Sequence, residues 1–341
     1  MALLGLDTPI KQGVFGTYIT LWVTCHMLVY ASRQSGAPAY NATSVVLLTE
    51  LIKLVMALTL YRLNDGNCSL LFRQISGSKQ LLLRYLIPAQ LYCVYNNLVY
   101  LNLEVFDPGT YNVLLQLRIV MTGVLYQMLF SRQLNRNQWR AILLIAAGCI
   151  VKESSKFSQG DRQMQANVFA WALLLVQMLC SVFAGVYNEH LLKGFSGSAG
   201  QPIVSTNLQN AYMYFNSALC NAAVLVYQGQ LGAAVAPANL QTVFTPTILL
   251  VMAIMSTVGM VTGFFLKHLD SVLKAIASAL EVVLTAALSW LFFDTPLNTR
   301  ALVAVACVGG GVALYARPLI DTEVRYKPLR TTVAPSAESE A

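Results

Sequence analysis

The sequence has few charged residues. Asp, Glu, Lys and Arg make up 11% of its 341 residues, and hydrophobic residues make up 56%, whereas a soluble domain has about 25% charged residues. This scarcity of charge excludes an ordinary soluble protein and indicates a chain that lies mostly in a membrane. The apolar runs do not alternate with polar residues as barrel strands do, so the spans are expected to be helices.

Motifs for catalysis, metal binding and disulfide bonding are also missing. The sequence has no GxxxxGK[ST], HExxH or GxSxG pattern, which are signatures of nucleotide-binding loops, zinc proteases and serine hydrolases. Its seven cysteines lie mostly in apolar segments, without metal-like or paired spacing. We therefore expect a protein that is not an enzyme and has neither a catalytic residue nor a metal or other cofactor.

Ten apolar segments are predicted to cross the bilayer, which takes about 20 residues per helix. They predict an all-α polytopic membrane protein with one ten-helix domain at residues 1–320 and a disordered cytosolic tail at residues 321–341. The fifth segment is short. The segments are residues 13–32, 43–61, 84–103, 110–130, 139–152, 167–191, 205–227, 248–266, 271–293 and 298–316.

The positions of the basic residues predict the topology. If the N-terminus is cytosolic, fifteen of the 22 Lys and Arg residues lie on the cytosolic side, five lie on the opposite side and two lie within spans. Basic residues are retained on the cytosolic side of membrane proteins. Both termini are therefore predicted to be cytosolic, and the net charge of +7 reflects topology rather than nucleic-acid binding.

Ten helices divide into two sets of five. Because five is odd, a duplicated second half would enter the membrane in the opposite orientation, as in transporters that bind their substrate between inverted repeats. No residue-level repeat between the halves is evident in the sequence. The 5+5 inverted repeat and alternating access are therefore predicted on architecture alone.

Polar residues recur at helical spacings in the third span. Tyr92, Asn96, Asn97 and Tyr100 form one stripe, and such groups in hydrocarbon usually face a protein interior or a cavity. Hydrogen bonds between helices are one explanation. Amides that pair with base edges and rings that stack on bases favour the other, contact with a nucleotide.

Two cations are candidates for binding phosphate. Arg118 lies about a third of the way into the fourth span, too deep to reach the interface easily, and a guanidinium binds phosphate through two hydrogen bonds. Lys274 lies one turn inside the ninth span. For Arg118, a structural salt bridge is the alternative interpretation.

Three further charged residues lie within spans. Glu50 and Lys53 are three residues apart on one helix face, where an ion pair would have either a structural or a gating role. Glu281 follows Lys274 by seven residues on nearly the same face, so it can pair with Lys274, carry a proton or select the substrate. His26, alone in the first span, is interpreted as a packing residue.

These motifs, in this order, resemble the nucleotide-sugar transporter family. The resemblance covers about residues 40–316 and is closest to the branch with the CMP-sialic acid and UDP-galactose carriers. It rests on TELIK at 49–53, YCVYNN at 92–97, FDPGTY at 106–111, QLR at 116–118, GVYNE at 185–189 and NLQ at 207–209.

The resemblance implies a drug/metabolite-transporter fold in the Golgi membrane that exchanges a cytosolic nucleotide sugar for a lumenal nucleoside monophosphate. By position, Arg118 and Lys274 would face phosphate, and Tyr111, Gly185 and Tyr187 would line the cavity. Tyr92, Asn96 and Asn97 would contact the nucleotide, and Asn207 would approach the base or ribose. The sialic acid carrier has lysine in place of Arg118 and small residues in place of Glu281.

From these features we predict a UDP-sugar antiporter, with UDP-galactose as the favoured cargo and UMP as the exchanged nucleotide. The alternatives are a CMP-sialic acid or UDP-N-acetylglucosamine transporter of the same fold, and a non-transporting scaffold that recruits glycosyltransferases. The expected partners are the two nucleotides and the lipid bilayer, without nucleic acid. A homo-oligomer or an association with a glycosyltransferase is compatible with the sequence.

Overall fold

A computed structural model of the protein describes residues 4, 6–34, 42–106, 111, 114–130, 133–157, 168–195, 204–293 and 299–316. The regular structure in these residues is helical throughout, which confirms the predicted all-α class. In chain order the helices are α1 (Pro9–Gln34), α2 (Ala42–Asn64), α3 (Cys68–Gly77), α4 (Lys79–Arg84), α5 (Leu86–Val105), α6 (Arg118–Phe130), α7 (Arg136–Phe157), α8 (Val168–Gly194), α9 (Thr206–Tyr227), α10 (Leu231–Val235), α11 (Pro237–Val243), α12 (Pro246–His268), α13 (Ser271–Phe293) and α14 (Thr299–Ala316).

Within the described ranges, five helices are both long and apolar enough to cross a membrane, namely α2, α8, α12, α13 and α14. This finding supports a multi-pass membrane protein. The ten predicted segments overlap the ten longest helices of the described chain, α1, α2, α5–α9 and α12–α14. The exact number of spans stays a prediction, and the predicted disordered tail lies outside the described residues.

Local sequence signals explain where several helices begin. Pro246 opens α12, where its missing N–H is not needed. The Ser205 hydroxyl accepts a hydrogen bond from the Leu208 amide at 3.2 Å and so caps α9. Asp270 caps α13 through the Leu273 amide at 2.8 Å. These caps fix the starts of two helices that carry predicted site residues.

The long helices pack in pairs. α2 lies along α9, α5 along α8, α1 along α12 and α7 along α14. The α7–α14 contact is close because a Cβ on Gly148 would lie 2.7 Å from that of Cys307, and a Cβ on Gly311 would lie 2.5 Å from the Ile145 side chain. Small residues permit such close packing in membranes, where apolar burial from water does not drive it.

Candidate functional site

A cavity of about 120 Å³ lies among α6, α7, α8 and α13. Both predicted phosphate ligands, Arg118 and Lys274, line it. Gly185 of α8 also lines it, as predicted from the need for a close approach. The remaining lining residues are Leu115, Gln116, Ile119, Thr122, Cys149, Ser181, Val182, Ser271, Ala275, Ser278 and Ala279.

Neutral groups orient the Arg118 side chain. Its Nε donates to the Leu115 carbonyl at 3.0 Å, and one terminal nitrogen donates to the Tyr95 hydroxyl at 3.1 Å and to the Ser181 hydroxyl at 3.4 Å. Within the described part of the chain, no carboxylate pairs with it. The guanidinium is therefore held in place while its charge remains uncompensated, as an anion site requires.

Lys274 lies one turn after the start of α13. It also has no ion pair with any described residue. The amino end of a helix carries partial positive charge, and Ser271 and Lys274 of this first turn both line the cavity. The Asp270 and Glu189 carboxylates already cap this terminus, so Lys274 is the group of the first turn that adds to the positive potential of Arg118.

A buried amide network supports the Arg118 end of the cavity. Gln177 of α8 is fully buried and donates to the Tyr111 hydroxyl at 2.7 Å and to the Tyr95 carbonyl at 3.3 Å. Its oxygen accepts from Asn102 at 2.7 Å. Tyr111 therefore belongs to a network behind the cavity rather than to its lining. Gln177 is absent from the sequence prediction, although a lone amide within an apolar run was a signal for it.

The predicted polar stripe of α5 lies beside the cavity. The Tyr92 hydroxyl would be 3.6 Å from a Cβ on Gly185, so these two predicted residues are neighbours. Asn97 donates to the Cys93 carbonyl at 2.8 Å, and Asn96 has no side-chain hydrogen bond to a described residue. None of the three stripe residues lines the cavity in this conformation, and their contact with substrate stays a prediction.

Two other predicted site residues also lie away from the lining. The Tyr187 ring stacks on Phe183 at 5.9 Å with an interplanar angle of 9°. The Asn207 amide donates to the Asp65 carboxylate at 2.9 Å, which links the start of α9 to the end of α2. The proposed contacts of Tyr187 and Asn207 with substrate therefore need a different conformation.

Glu50 and Lys53 form the expected ion pair on α2. The Lys53 ammonium also lies 5.0 Å from the centre of the Tyr214 ring, and the Lys53 stem occupies the space that a side chain at Gly259 would need. The pair is thus buried where α2 crosses α9 and α12. A structural and a gating role both fit this position.

Glu281 is paired with His26 of α1, at 2.6 Å between Oε1 and Nδ1. Of the alternatives for Glu281, pairing with Lys274 is therefore wrong in this structure. This contact satisfies the His26 imidazole, and the interpretation of His26 as a packing residue stays a prediction. The two other roles considered for Glu281, proton binding and substrate selection, are not tested by this contact.

A second buried carboxylate joins α8 to α13. Glu189 is fully buried and accepts hydrogen bonds from the Ser271 amide at 2.7 Å and the Ser271 hydroxyl at 2.5 Å. Lys193 pairs with its other oxygen at 2.7 Å. Within the described chain, no group of three or more His, Cys, Asp or Glu side chains could hold a metal ion.

The fold is that of a polytopic membrane protein, and a cavity in its interior brings Arg118 and Lys274 together. The sequence pattern of the family described as Nucleotide-sugar transporter matches residues 9–316. The chain belongs to this family, whose members are transporters and not enzymes.

Several relatives have names that state their cargo. The chain is 35% identical to UDP-galactose transporter senju of Drosophila melanogaster, over 94% of this chain and 90% of that protein. It is 31% identical to the UDP-galactose translocator of Mus musculus, over 85% and 73%. It is 27% identical to CMP-sialic acid transporter 2 of Oryza sativa subsp. indica, over 85% and 79%.

A solved crystal structure of another protein shares the fold. The structural match covers 91% of this chain and 98% of that protein's chain, with a TM-score of 0.64 and 14% sequence identity. At that identity the likeness concerns architecture alone.

Proposed function

We propose that the protein is a Golgi antiporter that imports a UDP-sugar, with UDP-galactose as its favoured cargo, in exchange for UMP. The observation that carries the proposal is the pair of cations, Arg118 and Lys274, that line one cavity without a carboxylate partner in the described chain. Arg118 and Lys274 are partly buried, and uncompensated charges away from water are costly, so such a pair is expected to bind an anion. The names of the two UDP-galactose relatives favour the cargo.

The size of the cavity implies a conformational change. A volume of about 120 Å³ suits phosphate groups, whereas sites for whole small-molecule ligands have roughly 300–1,000 Å³. The nucleoside and the sugar therefore need the helices around the cavity to separate. Opening toward α5 would bring Tyr92, Asn96 and Asn97 beside the bound nucleotide.

The packing of the helices supports two inverted halves. If the ten longest helices are divided five and five, α1 corresponds to α8, α2 to α9, α5 to α12, α6 to α13 and α7 to α14. The contact of α1 with α12 then matches that of α8 with α5, and the contact of α1 with α13 matches that of α8 with α6. Such a repeat suits a site that is exposed alternately to the cytosol and the lumen, with both termini cytosolic.

Exchange follows from the charge of the cavity. Closing the helices around two uncompensated cations is unfavourable, and a nucleotide of either kind relieves this cost. A ligand shifts a conformational equilibrium by its differential affinity for the two states. The loaded protein should therefore reorient faster than the empty one.

The proposal is tested by uptake into proteoliposomes loaded with UMP, with CMP or with neither. Labelled UDP-galactose should enter at least tenfold faster with internal UMP than with no nucleotide. CMP-dependent uptake of CMP-sialic acid would support that cargo instead. Strong competition by UDP-N-acetylglucosamine would show that the protein also accepts this nucleotide sugar. Absence of uptake under every condition would favour the non-transporting scaffold.

A further inference from the structure

The contact between the His26 imidazole and the Glu281 carboxylate lies near the cavity but is not needed to hold phosphate. We propose that this pair is a proton-binding site linked to the nucleotide site, so that binding of a dianionic nucleotide sugar takes up one proton. The inference rests on the proposed function because it assumes that the ligand of the cavity is a nucleotide sugar.

The pair lies next to the lining of the cavity. Glu281 follows Ser278, which lines the cavity, by three residues, a rise of about 4.5 Å along the helix. Its carboxylate is 8% exposed, while the imidazole of His26 is 47% exposed. The imidazole stacks on Trp22, with ring centres 5.5 Å apart. Glu281 is thus about one helical turn from the cavity lining at Ser278 and about two turns from Lys274.

Few other groups near the pair can change charge. Tyr18 and Cys25 of α1 are close enough to interact with the Glu281 charge, and α12 presents the Phe265 ring to this region. Thiols and phenols are ordinarily neutral near pH 7. The groups around α13 in the cavity lining and the shared hydrophobic cluster are Arg118 and Tyr126 on α6, Cys149 on α7, Lys274 on α13 itself and Tyr315 on α14. Asp270 and the Glu189–Lys193 pair lie at the start of α13, about three turns from Glu281.

Protonation of the His26 imidazole adds one positive charge on this side of the cavity. The pyrophosphate of a nucleotide sugar carries two negative charges, so this added charge favours its binding. Histidine is the side chain that ordinarily changes charge between pH 5 and 8.

Thermodynamic linkage between proton and nucleotide binding then fixes how the affinity for the nucleotide sugar depends on pH. If protonation of the pair raises the affinity for the dianion by some factor, binding of the dianion raises the affinity for the proton by the same factor. Affinity is therefore highest at the acidic end and falls as the pH rises through the titration of the pair. One linked proton changes the affinity by at most about tenfold per pH unit.

The test measures binding of UDP-galactose to the purified full-length protein by calorimetry from pH 6 to pH 8. Two buffers with different ionisation enthalpies report proton uptake directly. UDP-galactose is preferred to UMP because a terminal phosphate monoester itself titrates near pH 6. The wild-type protein should lose affinity by roughly 30–100-fold across this range and take up close to one proton near its midpoint.

Two substitutions should act in opposite directions. Glu281→Gln leaves two cations without an anion, so its affinity should stay high at pH 8 and depend little on pH. His26→Gln cannot gain the added charge, so its affinity should be low and nearly constant. Cys25→Ala, beside His26 on α1, is the matched control and should retain the wild-type profile.

A purely structural role predicts a different result, in which both substitutions weaken binding and lower thermal stability in parallel. That result, or binding by the wild-type protein without proton uptake, would overturn the inference while the proposed function stands. If the folded wild-type protein binds no UDP-galactose at any pH, the proposed function fails and the inference fails with it.

Discussion

At the scale of single residues, Arg118 is the side chain on which the proposed site most depends. Three neutral groups hold its guanidinium, so its orientation does not depend on a compensating carboxylate. Hydrogen bonds to charged groups contribute about 1.5–3 kcal/mol. The bidentate contact with phosphate that the guanidinium can form should therefore account for much of the binding of either nucleotide.

Arg118→Ala should weaken binding of UDP-galactose by roughly 10–100-fold and reduce exchange at subsaturating substrate to a similar extent. The thermal stability of the empty protein should stay the same or rise, because the substitution removes an uncompensated charge that is partly buried. Scintillation proximity binding and thermal melting of the purified protein measure the two effects.

Arg140→Ala is the matched control, since this exposed arginine of α7 lies outside the cavity lining. It should leave both quantities unchanged. If Arg118→Ala instead destabilises the empty protein and preserves affinity, the arginine has a structural role.

Residue chemistry explains which parts of the site could be predicted. A charged residue within a membrane span is energetically costly and therefore indicates a functional role. Arg118 and Lys274 were predicted as site residues on this basis. Ser181 and Gln177 are uncharged, and their importance arises from contacts with Arg118, Tyr95 and Tyr111 that only the packed structure supplies. His26 gave too weak a signal because its partner lies on a helix distant in the sequence.

At the scale of helices, the start of α13 is the helix end that matters most for the geometry of the proposed site. Asp270 caps it from within the connection, and Glu189 caps it from α8. This end of α13 also positions Lys274 in the cavity. The contact between Glu189 and Ser271 therefore links the geometry of the phosphate site to the end of α8.

Glu189→Ala should lower the stability of the empty protein by about 3–5 kcal/mol, because it leaves Lys193 without its buried partner and removes the acceptor of the Ser271 amide. Ser271→Ala keeps that amide and loses one hydroxyl hydrogen bond to the carboxylate, so it should cost less, about 1.5–3 kcal/mol. Thermal melting in one detergent gives the order of the two variants. Equal, small effects would show that the cap does not hold α13.

The helices themselves were predictable to different degrees. Hydropathy located the long apolar helices because lipid selects both their length and their composition. The short helices α3, α4, α10 and α11 were absent from the prediction, since they lie in connections where no such selection acts. Asn67 caps α3 through the Leu70 amide at 2.9 Å, a local signal that the apolar pattern obscures.

At the scale of the whole molecule, the proposed correspondence between two sets of five helices was predictable only as a consequence of their number. Close contacts also join helices outside the main pairs, such as that of Asn210 of α9 with Gly263 of α12, where the amide fills the space of a missing side chain. Such contacts follow from shape and not from hydropathy. The apolar pattern of the sequence therefore could not predict which helices would pack together.

Alternating access makes a claim about the whole molecule that chemical labelling can check. A cysteine at Ser181, which lines the cavity, should react with a membrane-impermeant maleimide applied to either face of sealed vesicles, in a background where Cys149→Ala removes the natural thiol of the cavity. The natural Cys68, exposed at the start of α3, is the internal control and should react from the cytosolic face alone.

Because the cavity is small, the rates of maleimide labelling report how often the helices around it separate. Ser181→Cys should react more slowly than Cys68 from the cytosolic face, because the reagent must wait for the helices to separate. UMP should slow the reaction further from both faces by occupying the site. Two-state access requires reactivity from both faces in one preparation of uniform orientation, so labelling from a single face, at a rate that UMP does not alter, would contradict the alternation and leave only a one-sided binding pocket.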